Sequence, residues 1–111
     1  NFPVDTPLQM LNLLKFKDKL ENGLTGKEQY NKYMKAASPF IKASNAKILF
    51  YGDAKFTVIG PENELEWDKV IIVEYATKQD FVNMIMKEDY PAHLRVAALD
   101  DSRLIFCAPT K

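Results

Sequence analysis

The residues best suited to chemistry lie in one short segment near the end of the chain. His93 is the only histidine among the 111 residues, and histidine is the residue type that most often serves as a general base near neutral pH, so it is the natural candidate for that role. Arg95 could bind a substrate carboxylate through two parallel hydrogen bonds. Tyr90 precedes both residues and is a candidate for contacting the same substrate.

Each of these residues also has a purely structural interpretation. His93 could be a partly exposed side chain before the last strand, because the sequence marks no serine or cysteine nucleophile beside it. Arg95 and Arg103 could form an ion-pair network with Asp100 and Asp101, which would fix the loop before that strand. The sequence leaves both interpretations open.

Two polar residues interrupt segments that otherwise read as apolar strands. Burying Asn12 or Glu74 without a hydrogen-bond partner would cost about 2 kcal/mol or more, so both are candidates for lining a pocket. Glu74 would then be a second catalytic group, and Asn12 would position the substrate. Alternatively, Asn12 pairs with neighbouring backbone, and Glu74 reaches a strand end or a cation such as Arg95 or Arg103.

Aromatic side chains could complete a ligand pocket around these polar groups. We expect Trp67, Tyr75 and Tyr90 to contact a ligand, although aromatic residues in strands more often belong to the core. A zinc site is disfavoured by the single histidine and the single cysteine, Cys107. Glycine-rich phosphate loops and hydrolase elbows are absent from the sequence. We therefore expect neither a metal nor a cofactor.

The first half of the chain reads as a strand, a helix and a second strand. Leu8 to Phe16 is apolar on both alternating faces, as in a strand that is buried on both sides. Thr25-Gly26-Lys27-Glu28 forms a capping box that predicts the start of a helix, which Pro39 should kink or restart with Ser38 as a new cap. Ala46 to Tyr51 and Lys55 to Ile59 are β-prone, and Gly52-Asp53 could join them as a bulge or bend in one long strand.

The second half repeats this plan. It follows a loop over Gly60 to Glu66 and consists of a strand, a capped helix, a short helical turn and a final strand. The order β-α-β-β-α-β predicts an α+β, ferredoxin-like fold with a four-stranded antiparallel sheet and helices on one face. The predicted bounds are Trp67 to Tyr75, Thr77 to about Glu88, Ala92 to Leu99, and Arg103 to Cys107.

Composition limits the classes of protein and partner. A chain of 111 residues is typical of one domain, here residues 1–111. Fifteen basic and fifteen acidic residues cancel, so neither nucleic acid nor an anionic membrane is an expected partner. The apolar stretches are too short to span a bilayer, and no basic-then-apolar leader opens the sequence, which favours a soluble, cytoplasmic protein.

The two most apolar strands predict a homodimer. Helices can cover only one face of the sheet, yet both faces of the first and third strands carry apolar side chains. A second copy could cover the other face, giving an isologous dimer whose two sheets enclose a shared interior. The opposite faces of the first strand carry, respectively, Met10, Leu14 and Phe16, and Leu11 and Leu13.

Several segments resemble an uncharacterised family of small dimeric α/β-barrel, ferredoxin-like proteins. The matching residues include Met10 to Phe16, Trp67-Asp68, Val73 to Thr77 and, most strongly, Arg95 to Ile105. The resemblance implies the fold and dimerisation, and a distant relation to antibiotic-monooxygenase-like and EthD-like proteins. It transfers no catalytic residue. Ala76-Thr77 stands where Pro-Ser is common in the family, and this change leaves the capping role intact.

The sequence therefore predicts a small homodimer that binds a small organic molecule in an interior cleft. If it is an enzyme, we expect cofactor-free proton-transfer or oxygenase-type chemistry on an organic acid or an enolisable carbonyl. The alternative is a non-catalytic ligand-binding or structural dimer. Convergence of His93, Arg95 and Glu74 on an enclosed cleft would favour the enzyme, and a filled interior would favour the alternative.

Overall fold

Four strands form one antiparallel sheet in the order β2-β3-β1-β4. The computed structural model describes residues 6–63 and 66–110. This α+β arrangement confirms the predicted ferredoxin-like fold, with a third helix added before the last strand. The elements are β1 (Leu8–Phe16), α1 (Gly26–Ala43), β2 (Lys47–Asp53), β3 (Lys69–Tyr75), α2 (Lys78–Ile85), α3 (Ala92–Ala98) and β4 (Leu99–Cys107).

Alternation along the central strands divides the side chains between two faces. In both β1 and β3, buried residues alternate with half-buried ones, because successive side chains of a strand point to opposite sides of the sheet. The buried face packs against the helices. Its core consists of Leu8, Met10, Leu14, Tyr30, Tyr33, Ala37, Ile71, Val73, Tyr75, Met84 and Ala98.

Helix α1 begins at the predicted capping box and runs past the predicted interruption. The Thr25 hydroxyl accepts from the Glu28 backbone N–H at 3.1 Å, and the Glu28 carboxylate accepts from the Thr25 N–H at 2.9 Å. The restart predicted at Ser38 is wrong, since α1 continues through Pro39 to Ala43. Pro39 is exposed, so the carbonyl that loses its helical donor can bond to water instead.

Strand β2 is shorter than the sequence predicts. It ends at Asp53, which pairs with Lys69 at the start of β3, and its irregularity falls between Ile48 and Phe50 rather than at Gly52-Asp53. Lys55 to Ile59 is not a strand, because β3 offers no residue to pair with it. Residues 64 and 65 of the loop predicted to follow lie outside the described residues.

The last elements have different bounds from those predicted. Helix α2 ends at Ile85 instead of near Glu88, while Thr77 caps it as expected by accepting from the Asp80 N–H at 3.1 Å. Strand β4 begins earlier than predicted because Leu99 already pairs with Phe16, beyond a bulge in β4 where Asp100 is left without a partner in the β1 register. Among residues 6–63 and 66–110, no helix has both the length and the apolar character needed to cross a bilayer.

Gly26 allows three elements to meet at the start of α1. Its N–H donates to the Lys17 carbonyl at 2.9 Å. A Cβ at this position would lie 2.4 Å from the Lys17 carbonyl oxygen and 2.6 Å from the Ala98 carbonyl oxygen. Because both obstacles are backbone atoms, a side chain could fit here only if β1, α1 and α3 moved apart.

We expect Gly26→Ala to lower the free energy of unfolding by about 1 to 3 kcal/mol, as overpacked sites do. Alanine favours a helix over glycine by up to ~1 kcal/mol, so the clash must outweigh that gain. Chemical denaturation would measure the change. Lys27→Ala, at the exposed next position, is the matched control and should change stability by roughly 0.5 kcal/mol or less. Equal stability of Gly26→Ala and the wild type would contradict this account of the packing.

Candidate functional site

A cavity of about 320 Å³ lies between the buried face of the sheet and the helices. Its volume is at the small end of the range for ligand sites, and most of its wall is apolar or aromatic. It lies within one chain, on the helix side of the sheet. The shared interior predicted from the sequence would instead lie on the opposite face, the open face, which carries Leu11, Leu13, Val70, Ile72 and Ile105. Its polar lining residues are Asn12, Tyr30, Tyr33, Tyr75, Tyr90 and Arg95.

Strand β1 contributes Asn12 to the wall of the cavity. Asn12 is 8% exposed and sits at the centre of the sheet, where it is paired with Ile71 on one side and Leu104 on the other. Its Nδ2 donates to the backbone carbonyls of Met10 and Ile71, each at 3.3 Å. Because the donors are used in this way, the amide oxygen remains available for a donor in the cavity.

Helix α3 contributes Arg95, which is half-buried. Its Nη2 donates to the Asn12 Oδ1 at 3.3 Å, so the guanidinium is held against a neutral amide. None of the ion pairs found among residues 6–63 and 66–110 includes Arg95. They join Lys15 to Asp68, Lys69 to Asp53, and Arg103 to Asp101. The positive charge of Arg95 therefore faces the cavity without a carboxylate partner in the described part of the chain.

Tyrosines supply the remaining polar atoms of the wall. The hydroxyls of Tyr33 and Tyr90 share a short hydrogen bond, and the Tyr75 hydroxyl donates to the Met84 sulfur at 4.0 Å. Burial raises the pKa of Tyr30, Tyr75 and Tyr90 above the usual tyrosine range, and the Arg95 charge opposes this shift at Tyr30 and Tyr90. These three phenols consequently stay neutral at physiological pH and act as hydrogen-bonding groups rather than as bases.

Among the residues that the structure describes, the lining offers no carboxylate, imidazole or thiol as a general base. No aspartate, glutamate, histidine or cysteine is among the residues that line the cavity in the described part of the chain. Nor do three such side chains gather anywhere in residues 6–63 and 66–110 in a way that could hold a metal ion. The wall can therefore bind an anion, donate hydrogen bonds and exclude water, but it offers no side chain that readily accepts a proton.

The structure brings together four of the seven residues that the sequence proposed for the site. Asn12, Arg95, Tyr75 and Tyr90 all line the cavity. His93 is on α3 with Arg95, but it is exposed and does not line the cavity.

The two remaining residues lie elsewhere. The side chain of Glu74 projects from the face of the sheet that is opposite the helices. There its carboxylate accepts a hydrogen bond from the Gln9 Nε2 at 3.2 Å. Trp67 is half-buried, and the Arg103 guanidinium lies 5.3 Å from the centre of its ring. The proposed ion-pair network is present only in part, since Arg103 pairs with Asp101 while Arg95 turns into the cavity.

The main functional candidates missed at the sequence level are Tyr30 and Tyr33. Both lie on α1, three residues apart on an apolar stripe that faces the sheet, and both are buried there. Their hydroxyls were the available signal, because a tyrosine on an otherwise apolar stripe needs a polar partner when it is buried. That signal predicts that each hydroxyl forms a hydrogen bond, but it does not predict that the two tyrosines line a cavity.

We expect Tyr90→Phe to lower the free energy of unfolding by about 1 to 3 kcal/mol, because it leaves the buried Tyr33 hydroxyl without its partner. The rings that pack around this position are kept. Adding Tyr33→Phe should recover part of the loss, with a coupling energy of roughly 1 kcal/mol in a double-mutant cycle measured by denaturation. Strictly additive losses would show that the two hydroxyls do not stabilise each other.

Comparison with known proteins shows a relative of similar length. No protein-family model matches the chain, and no curated protein does. The RPA0582 protein of unknown function from Rhodopseudomonas palustris is 34% identical to this chain. The match covers 96% of this chain and 85% of that one, with a TM-score of 0.86.

Two more distant structures share the fold. One is an antibiotic biosynthesis monooxygenase-like protein from Caulobacter crescentus, at 10% identity and a TM-score of 0.61 over 97% of this chain and 93% of that one. The other is a dimeric ferredoxin-like protein of unknown function from Thermobifida fusca. It is 14% identical to this chain, with a TM-score of 0.58, and the match covers 98% of this chain and 97% of that one. The identity and coverage of the first match decide the assignment: this protein belongs to the same family as RPA0582, a family of ferredoxin-like proteins without a known function.

Proposed function

We propose that this protein is a homodimer that binds a small, partly apolar organic molecule in the cavity between the sheet and the helices. One observation carries the proposal: an apolar cavity of about 320 Å³ has Asn12 and Arg95 hydrogen-bonded to each other on its wall. Ligand sites typically combine an apolar wall with a few well-placed polar groups of this kind. A cavity that served packing alone would not need a guanidinium.

Binding is better supported than acid–base catalysis. The sequence suggested His93 and Glu74 as catalytic groups, but His93 is exposed and Glu74 is on the sheet face away from the cavity. Proton transfer within the cavity would therefore depend on the ligand's own groups or on water. Cofactor-free proton-transfer or oxygenase-type chemistry remains the second candidate function, favoured by the likeness in fold to the monooxygenase-like protein from Caulobacter crescentus.

The homodimer is supported by the open face of the sheet. This open face carries the side chains Leu11, Leu13, Val70, Ile72 and Ile105, and no element of the described chain covers it. A contiguous apolar surface of this kind on a soluble domain usually marks an interface. The ferredoxin-like protein from Thermobifida fusca, which shares the fold, is dimeric.

The four methionines make the binding proposal directly testable by NMR of ¹³C-labelled methyl groups. Met10, Met34 and Met84 line the cavity, whereas Met86 lies outside it and is 74% exposed, so it is an internal control. In a titration with a panel of fragment-sized organic molecules, we expect compounds that shift the three lining methyl signals and leave Met86 unchanged. Shifts confined to Met86, or no shift with any compound at millimolar concentration, would contradict the proposal.

Assembly can be tested separately by light scattering at micromolar concentration. We expect the wild type to have the mass of two chains and Ile72→Glu to have the mass of one, because the substitution places a charge in the middle of the open face. Met86→Glu makes the same kind of change on an exposed site outside that face and should leave the dimer intact. A monomeric wild type would rule out the homodimer.

A further inference from the structure

The most informative feature of the cavity is a positive charge that has no negative partner among residues 6–63 and 66–110. Arg95 is half-buried at the wall, its hydrogen-bond partners Asn12 and Tyr30 are neutral, and no aspartate or glutamate lines the cavity in the described part of the chain. A charge drawn partly out of water loses solvation free energy that a counter-ion can restore. We propose that the cavity binds a small organic monocarboxylate with an apolar body, whose carboxylate pairs with Arg95. This inference rests on the proposed binding function and adds its chemical class.

Asn12 prepares the guanidinium for such a ligand. Both hydrogen bonds from its Nδ2 go to backbone carbonyls of the central strands, so its amide oxygen is fixed toward Arg95. A guanidinium has five N–H donors in a rigid plane, and the hydrogen bonds of Arg95 to Asn12 and Tyr30 use only some of them. The remaining donors can bind both oxygens of one carboxylate. Asn12 thereby orients the cation without neutralising it.

The composition of the wall favours a monocarboxylate over a phosphate. Arg95 is the only cationic side chain among the lining residues in the described part of the chain, and no lysine accompanies it. A phosphate monoester carries close to two negative charges at neutral pH and usually requires several donors or cations. A single carboxylate matches the single guanidinium. The apolar remainder of the wall, including Ile71, Val73 and Phe81, matches an aliphatic or aromatic body.

The Tyr33–Tyr90 pair offers a second polar contact to the ligand. Two hydroxyls hold two protons, and the hydrogen bond between them uses only one, so the other can be donated to an oxygen in the cavity. Burial raises the pKa of Tyr90, which keeps its phenol neutral and able to donate.

A structural role for Arg95 is the competing explanation. The residue lies in the last turn of α3, where a cation interacts favourably with the helix dipole, and its unused donors could bond to water. If that were its whole role, a carboxylate and its neutral amide would bind equally well. The two explanations therefore differ in a measurable quantity, the ratio of the two affinities.

The experiment titrates the methyl-labelled protein at pH 7.5 with two matched pairs, phenylacetate with phenylacetamide and hexanoate with hexanamide. We expect each acid to bind at least ten times more tightly than its amide and to shift the signals of the lining methionines. Arg95→Gln should remove this difference, and Arg95→Lys should retain part of it because it keeps the charge but not the planar fork. Lys35→Gln, which removes a charge from an exposed position on α1, should leave the difference unchanged.

The outcomes separate the two proposals. Equal affinity for acid and amide in the wild type would overturn the carboxylate inference and leave the binding function standing. Failure of all four compounds to shift the lining methionines would overturn both. If Arg95→Gln proved to be unfolded by its amide NMR spectrum, the wild-type affinity ratio and the Arg95→Lys variant would still decide the matter.

Discussion

The constraint on which the rest of the structure depends is the alternation of side chains in β1, held in register by strands on both sides. Because β1 pairs with β3 and with β4, its backbone cannot rotate to return a polar side chain to water. Asn12 must therefore lie beneath the helices among apolar residues. It is stable there because its donors meet two carbonyls and its acceptor meets Arg95. The polar part of the cavity follows from this position.

Much of the fold could be predicted because its signals are local. Strand β1 begins and ends at the predicted residues, and the capping residues Thr25 and Thr77 make the predicted hydrogen bonds. Predictions failed where the structure of a segment depends on residues that are distant in the sequence. Lys55 to Ile59 has strong β propensity, yet a strand needs a neighbour to pair with, and β3 begins only at Lys69. Pro39 interrupts a helix less than its chemistry suggests when it lies on the solvent side.

The candidate site shows the same division between local and distant information. Asn12 stood out because a polar residue in an apolar strand requires a partner, and Arg95 stood out because a guanidinium can bind a carboxylate through two hydrogen bonds. His93 was grouped with Arg95 by sequence proximity, but residues two positions apart on a helix point about 160° apart, so Arg95 faces the cavity and His93 faces solvent. Glu74 follows the corresponding rule for a strand: it lies between Val73 and Tyr75, which face the helices, and so points the other way.

The sheet also separates the two surfaces on which the proposals depend. Neighbouring residues of β1 project to opposite sides, so substitutions at Leu11 or Leu13 alter the open face while Met10 and Asn12 keep their contacts with the helices. A lineage could thus change how its subunits assemble without changing what they bind, or the reverse. One layer of backbone lets natural selection act on the two properties separately, residue by residue along a single strand.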